Sequence, residues 1–297
     1  GDYYATDGFV TIDDIAFEHG TLRVRAIADP DDTLSIRFIV SKRDFDPSFT
    51  THVVTFASGH GAGTQRKVNV YGDSRIDIPD KRLERTYYTA LYNLKCWSTK
   101  WAVPIGILPT HWHGAFFGFG FNGAAFAAAG HQAEAEKIAR FWRSIYKVAK
   151  WRAGSDKPGR DVDSGIRYTW ETAEDGSELC SGGRFLDHHF HQATIPLDCW
   201  NAYLYNGDTN FLREVSYPVI KGCAQYFQSW LVQETKDGRT IIGPVCDLER
   251  LPCPSRNAFL TTCGAISDFE LAAKAADILG VDGDKVGEWR RLAAALR

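Results

Sequence analysis

The sequence predicts a mainly α protein of helical hairpins arranged as a toroid, preceded by a β-rich N-terminal region. Three observations carry this expectation. The period of the apolar residues changes near residue 80, glycine-terminated helix ends recur at near-equal intervals, and short connections alternate with long ones.

Up to about residue 80 the chain reads as strands. Thr21-Leu22-Arg23-Val24-Arg25-Ala26-Ile27 alternates polar and apolar residues, residues 34–40 do the same, and Gly, Asp and Pro separate the runs. From Lys81 onward Leu83, Tyr87, Leu91, Leu94 and Trp97 recur at helical spacing. Two parts follow, a β-rich region over 1–80 and a helical domain over 81–297. Within the helical domain the segments ending at Gly130, Gly207 and Gly280 each stop one helix and start another a few residues later, as capping glycines do. They lie roughly 75 residues apart, the mark of a helical-hairpin repeat. Between them run long loops rich in Gly, Pro and Asp, over residues 101–114, 154–184 and 233–256. One end of the toroid is therefore expected to have tight turns, and the other to carry long loops that shape a cavity.

Composition excludes several partners. With a net charge of -3 and a pI near 6.3, the chain has no basic footprint for nucleic acid or an anionic membrane. No apolar run reaches spanning length, the most apolar stretch being residues 124–130. The N-terminus does not read as a signal peptide, and Gly1 without an initiator Met suggests a processed chain or a tag remnant. The seven cysteines, at 96, 180, 199, 223, 246, 253 and 263, form no Cys-x-x-Cys pair, so zinc ribbons and redox motifs are not expected. Free buried thiols are the default, although Cys246 and Cys253 flank Glu249 and could bridge. The glycine-rich run over residues 58–64 lacks the Lys-Ser/Thr ending of a phosphate loop and reads as a turn. No cofactor and no metal site are expected.

The residues that could carry chemistry lie in the long loops. Ile241-Ile242-Gly243-Pro244-Val245-Cys246-Asp247-Leu248-Glu249 places carboxylates on a loop held by helices at both ends, where one can be aimed and partly desolvated as a general acid requires. Trp170-Glu171 sets a flat apolar face beside a hydrogen-bond acceptor. His111 and His113 alternate around Trp112, so an extended loop would put both on one side. Asp187-His188-His189-Phe190-His191 is the densest histidine cluster. On a helix His188 and His191 would share a face, with a cavity-lining or structural role preferred over metal binding.

These segments together resemble the family of trehalose, maltose and kojibiose phosphorylases and hydrolases. The family's Gly-Pro-Asp-Glu stretch, followed by Asn-Asn-Ala-Tyr/Phe, is matched by Gly243 to Glu249 and by Arg256-Asn257-Ala258-Phe259, with an insertion in the first. Its Pro-Trp-Glu-Ser/Thr stretch is matched by Tyr168-Thr169-Trp170-Glu171-Thr172, and its Tyr-x-x-Thr-Gly-Asp turn by Tyr203 to Asp208. His113 and the following aromatics match a further stretch, in which the relatives' Trp-Asp pair is replaced by Phe117-Gly118. The resemblance implies an (α/α)6 barrel of the six-hairpin glycosidase type and a preceding β domain of which 1–80 is the end. It implies Glu249 as the catalytic acid, with Asp247 as the alternative, and sugar contacts from Trp112, His113, Trp170, Glu171, His188, Asp247, Arg256 and Asn257. Twelve helices are expected for a closed barrel and fewer fit before Arg297, so the chain is expected to be truncated, with the catalytic base beyond its end.

The expected function is inverting hydrolysis of a glycosidic bond in an oligosaccharide. Two alternatives stand beside it: a disaccharide phosphorylase on the same fold, and a non-catalytic carbohydrate-binding protein on a degenerate barrel.

Overall fold

The computed structural model describes the backbone of five strands within residues 11–68, and residues 76–104, 114–118, 121–155, 165–247 and 253–297. The chain divides into two compact units, residues 1–89 and 90–297.

In the first unit β1 (Thr11–Glu18) pairs antiparallel with β2 (Thr21–Ile27). Strand β4 (Thr51–Phe56) lies between β3 (Leu34–Ile36) and β5 (Thr64–Val68), antiparallel to both. The glycine-rich run falls mostly outside the described residues. Helix α1 (Lys81–Trp97) starts where the sequence period changes. Asp80 begins it by accepting the amides of Arg82 and Leu83 at 2.9 and 3.0 Å, filling two donors that a first turn leaves without partners.

The second unit is helical. Helices α2 (Phe121–Ala128), α5 (His191–Asn206) and α8 (Phe259–Leu279) pack against one another as one layer. Behind them α3 (Gln132–Ser144) packs on α2 and α5, α7 (Tyr217–Tyr226) on α5 and α8, and α9 (Gly283–Ala295) on α8. Helix α4 (Tyr146–Ser155) continues from α3. The short α6 (Thr209–Phe211), α7 and two intervening π-helical stretches, Leu212–Ser216 and Phe227–Leu231, run on from one to the next. The core between the layers includes Trp142, Phe227, Phe269 and Trp289, all essentially without solvent exposure.

The tight turns lie where the glycines stand. Gly207 and Gly280 are left-handed C-caps at φ 66° and 64°, and Gly130 takes φ 78° between α2 and α3. Asp208 then caps the following helix through the amides of Asn210 and Phe211. Side chains tie these turns together: Asn206 donates to Glu136 at 3.1 Å, Gln132 to the Ala202 carbonyl at 2.8 Å, and Arg213 to the Leu279 carbonyl at 3.2 Å. Asp282 adds a stronger tie, accepting from Tyr217 at 2.6 Å and from Lys221 at 2.7 Å.

Two elements differ from the expectation. The stretch over 233–256 is not all loop, because β6 (Val232–Glu234) and β7 (Thr240–Ile242) form an antiparallel hairpin that pairs the β-branched Thr240 and Ile241. The histidine cluster is not one helix either. A 3-10 turn, Gly183–Asp187, ends at Asp187; His188 is extended and α5 begins at His191. The Asp187 carbonyl accepts the Cys246 amide at 3.0 Å, so a strand-like bridge displaces another helical turn.

Candidate functional site

The long-loop end is assembled by backbone bridges between segments distant in sequence. Phe116 pairs with Thr172, Thr172 with Glu178, His188 with Cys246, and Val245 with Ser255. The segment after residue 113 thus lies edge to edge with the Trp170 strap, and the stretch over 245–246 lies edge to edge with His188.

The strap over 165–172 is seated on the helices by side chains that mimic backbone. Gln192, fully buried on α5, accepts the Tyr168 amide at 3.1 Å and donates to the Tyr168 carbonyl at 2.9 Å, the two-way exchange a neighbouring strand would make. The Tyr168 hydroxyl donates to the Trp142 carbonyl at 2.7 Å. Gly165 and Gly222 permit the close approach, since a Cβ on Gly165 would stand 2.3 Å from the Tyr226 amide nitrogen. Glu178 then grips the turn itself, accepting the amides of Trp170 and Glu171, both at 2.9 Å. Neither Gln192 nor Glu178 was singled out from sequence as a site residue.

Trp170 sits inside an aromatic cluster and is 5% exposed. The His188 ring stacks on it at 4.6 Å, and Phe117 meets it edge-on at 5.5 Å. Trp170 was expected to present an open face to a sugar; this packing instead covers it and makes it a support for His188 and for the buried Glu171. His191, beside them on α5, is fully buried. Burial drives its pKa down to about 3 despite the Tyr168 carbonyl 3.1 Å away, so the ring stays neutral at physiological pH.

Asp247 is buried and spoken for. Its Oδ1 accepts the Thr261 amide and hydroxyl at 2.8 and 2.6 Å, and its Oδ2 the Leu260 amide at 2.9 Å, which closes the first turn of α8. Arg256 is exposed and donates to Gln233 at 3.1 Å. Asn257 takes a left-handed φ of 53° and gives its amide to the Ile242 carbonyl at 3.0 Å. Glu249, Trp112 and His113 lie outside the described residues.

Cys246 and Cys253 are joined as a disulfide, which settles the sequence-level choice between a bridge and two thiols. Among the described residues, Asp187 with these two cysteines is the group whose ligand atoms lie within metal-binding reach, all within 4.8 Å. The sulfurs are bonded to each other, so they do not offer the thiolates a metal would take. No helix among the described residues is long and apolar enough to cross a membrane.

Comparison with known proteins agrees with this arrangement. The model of the glycosyl hydrolase family 95 catalytic domain matches residues 188–297. A kojibiose hydrolase of Mucilaginibacter mallensis is 30% identical over 151 residues, covering 50% of this chain and 22% of that protein. One from Flavobacterium johnsoniae is 29% identical over 150 residues, again 50% and 22%. A "Probable alpha-fucosidase A" of Aspergillus niger is 30% identical over 78 residues, 26% of this chain and 10% of that one. The chain thus spans about a fifth of the kojibiose hydrolases it matches. Among solved structures, one titled "Putative kojibiose phosphorylase from human microbiome" superposes with a TM-score of 0.58 at 13% identity, over 72% of this chain and 31% of that one. By sequence over residues 188–297 the chain resembles the glycosyl hydrolase family 95 catalytic domain, and over 72% of its length it shares the fold of that solved structure.

Proposed function

We propose that this chain is the part of an inverting glycoside hydrolase that carries the general acid, Glu249, and that its substrate is an α-linked glucose disaccharide of the kojibiose type. The observation that bears most on this reading is the bridge of His188 to Cys246, which, with His188 stacked on Trp170, brings the sequence just before Glu249 near the Trp170 strap. The kinship with kojibiose hydrolases supports the substrate class. Glu249 donates a proton to the leaving glycosidic oxygen. Asp247 is the weaker choice, because capping α8 occupies both of its oxygens. Inversion requires a water on the opposite face of the sugar and a second carboxylate roughly 6.5–9.5 Å from the acid. Trp112, His113, Arg256 and Asn257 complete the sugar contacts, and His188, without solvent exposure and stacked on Trp170, is a supporting residue. On the same reading residues 1–80 end a β domain, and residues 81–297 supply about four of the six hairpins of the barrel.

A second reading, phosphorolysis, is favoured by the likeness in fold to a phosphorylase. One assay separates the two: full-length protein incubated with kojibiose, with and without phosphate. Free glucose alone supports hydrolysis, and phosphate-dependent glucose 1-phosphate supports phosphorolysis. Sugar binding with no turnover would favour a non-catalytic protein. Glu249→Gln should lower turnover by about 10²–10⁴ while binding persists, and near-normal turnover would remove Glu249 from the role.

A further inference from the structure

We propose that Glu178 is a positioning residue of the sugar site, fixing the Trp170-Glu171 turn so that affinity for the substrate depends on its carboxylate; this rests on the reading that the Trp170 strap borders that site. Other ties bracket the turn. Gln192 holds Tyr168 before it, and after it Phe116 and Thr172 exchange both backbone hydrogen bonds at 2.8 and 3.0 Å. Between these anchors Glu178 Oε2 accepts the Trp170 amide and Oε1 the Glu171 amide, both at 2.9 Å. Oε1 also accepts the Cys180 amide at 3.1 Å, and the Glu171 carbonyl accepts the Leu179 amide at 2.8 Å. The residues that carry the turn's side chains are thus held by one carboxylate, not by the strand-like pairs on either side.

Three amide donors converging on one group call for an acceptor that carries no hydrogen of its own, and a carboxylate is that group. Glutamine has the same shape, yet whichever way its amide is turned, an N–H meets at least one of the three backbone N–H groups. Aspartate keeps the acceptors and stops one methylene short. The turn governs what lies on it. Trp170 carries the His188 ring stacked at 4.6 Å, and His188 is bridged to Cys246. Glu171 is the buried residue that its motif counts among the sugar contacts. A rotation of the backbone at 170–171 would therefore shift Glu171 directly, and the His188 side of the site through the Trp170 ring. A misplacement of about 1 Å costs about 10²-fold where groups must meet a substrate in register. Glu178, half-buried at the turn, acts through these residues rather than by touching sugar.

The test uses the full-length protein. In wild type the amides of Trp170 and Glu171 should be protected from hydrogen exchange, like that of Tyr168; exchange at the rate of an unfolded chain would overturn the proposal before any variant is made. Glu178→Gln should speed exchange at Trp170, Glu171 and Cys180 by about tenfold while α5 and α8 keep their rates. On kojibiose it should raise KM by about 10- to 100-fold with kcat nearly unchanged, the mark of lost binding. A part in folding alone would instead lower Tm and the active fraction and leave KM where it was, and that result would sink the proposal. Should Glu178→Gln not fold, Glu178→Asp must show the same rise in KM. Asp175→Ala is the control, because Asp175 accepts the Ser177 amide at 2.8 Å in the same stretch without reaching Trp170 or Glu171. It should leave KM unchanged, and a rise equal to that of Glu178→Gln would show that any loosening of the stretch suffices, against a positioning role. If wild type neither bound nor turned over kojibiose, exchange would still decide whether Glu178 holds the turn, while its part in sugar affinity would fall with the reading of the site.

Discussion

Asp268 lies on α8 with no solvent exposure and no hydrogen-bond partner for either oxygen among the described residues. Burial pushes its pKa well above the ordinary value, so the folded protein holds it as a neutral acid. In the unfolded chain the same group ionises near pH 3.9. With the folded pKa raised, its contribution to stability is whole below that pH and is lost as pH rises, by about 1.4 kcal/mol per unit while the folded carboxyl keeps its proton. Asp268→Asn keeps the shape and removes the ionisation. Above pH 4 the stability of the variant relative to wild type should therefore rise with pH, by at most about 1.4 kcal/mol per unit. For a unit of this size that is at most about 3–5 °C per pH unit in relative Tm. His191 imposes the opposite slope in acid, since its unfolded ring takes up a proton near pH 6.5 that the folded ring refuses down to about 3. The two slopes oppose each other in wild type, so the comparison must be of variant with wild type. The assay is thermal unfolding by near-ultraviolet circular dichroism at pH 5, 6, 7 and 8. A difference that does not change with pH, or that shrinks as pH rises, would show that Asp268 is ionised in the fold and refute the reasoning.

Asp247→Ala should uncap α8 and lower stability by about 1–2 kcal/mol, read as a fall in Tm, whereas an unchanged Tm would mean that the cap contributes nothing. Gln192→Leu removes both bonds to Tyr168 and leaves its amide and carbonyl without those partners, so hydrogen exchange over residues 165–172 should accelerate more than elsewhere in the second unit. Desolvation pushes the Asp282 carboxyl up, but hydrogen bonds from Lys221, Tyr217 and Lys285 outweigh it and hold it at about 2. Its contribution of about 2 kcal/mol is present above pH 4 and lost as pH falls toward 2, and Asp282→Asn should remove that acid limb from the unfolding profile.

Much of the helical architecture was legible because glycine leaves a local signature. Gly207 and Gly280 stand where only a residue at ease in left-handed backbone closes a helix, and that requirement needs no knowledge of the rest of the fold. What the sequence hid was long-range. Nothing local tells that Gln192 pairs with Tyr168, 24 positions away, or that Asp187 gives its carbonyl to Cys246. The histidine cluster reads as a helix by spacing, yet that distant amide holds His188 extended. Asp247 looks as acidic as Glu249 in the sequence, and only the placement of the Leu260 and Thr261 amides marks it as a cap. The Trp170 ring likewise carries the same letter whether open to a sugar or covered by His188.

The tight-turn end has a use of its own. A side-chain carbon added at Gly207 or Gly280 meets no atom within 4 Å, and the neighbouring Leu204 and Tyr205 are exposed. A spectroscopic label or surface tether at residue 205 would therefore hang from the end of the second unit opposite the bridged loops. The same turns are also the places to graft or lengthen hairpins, because the bridged loops they would need to spare are fastened at the other end.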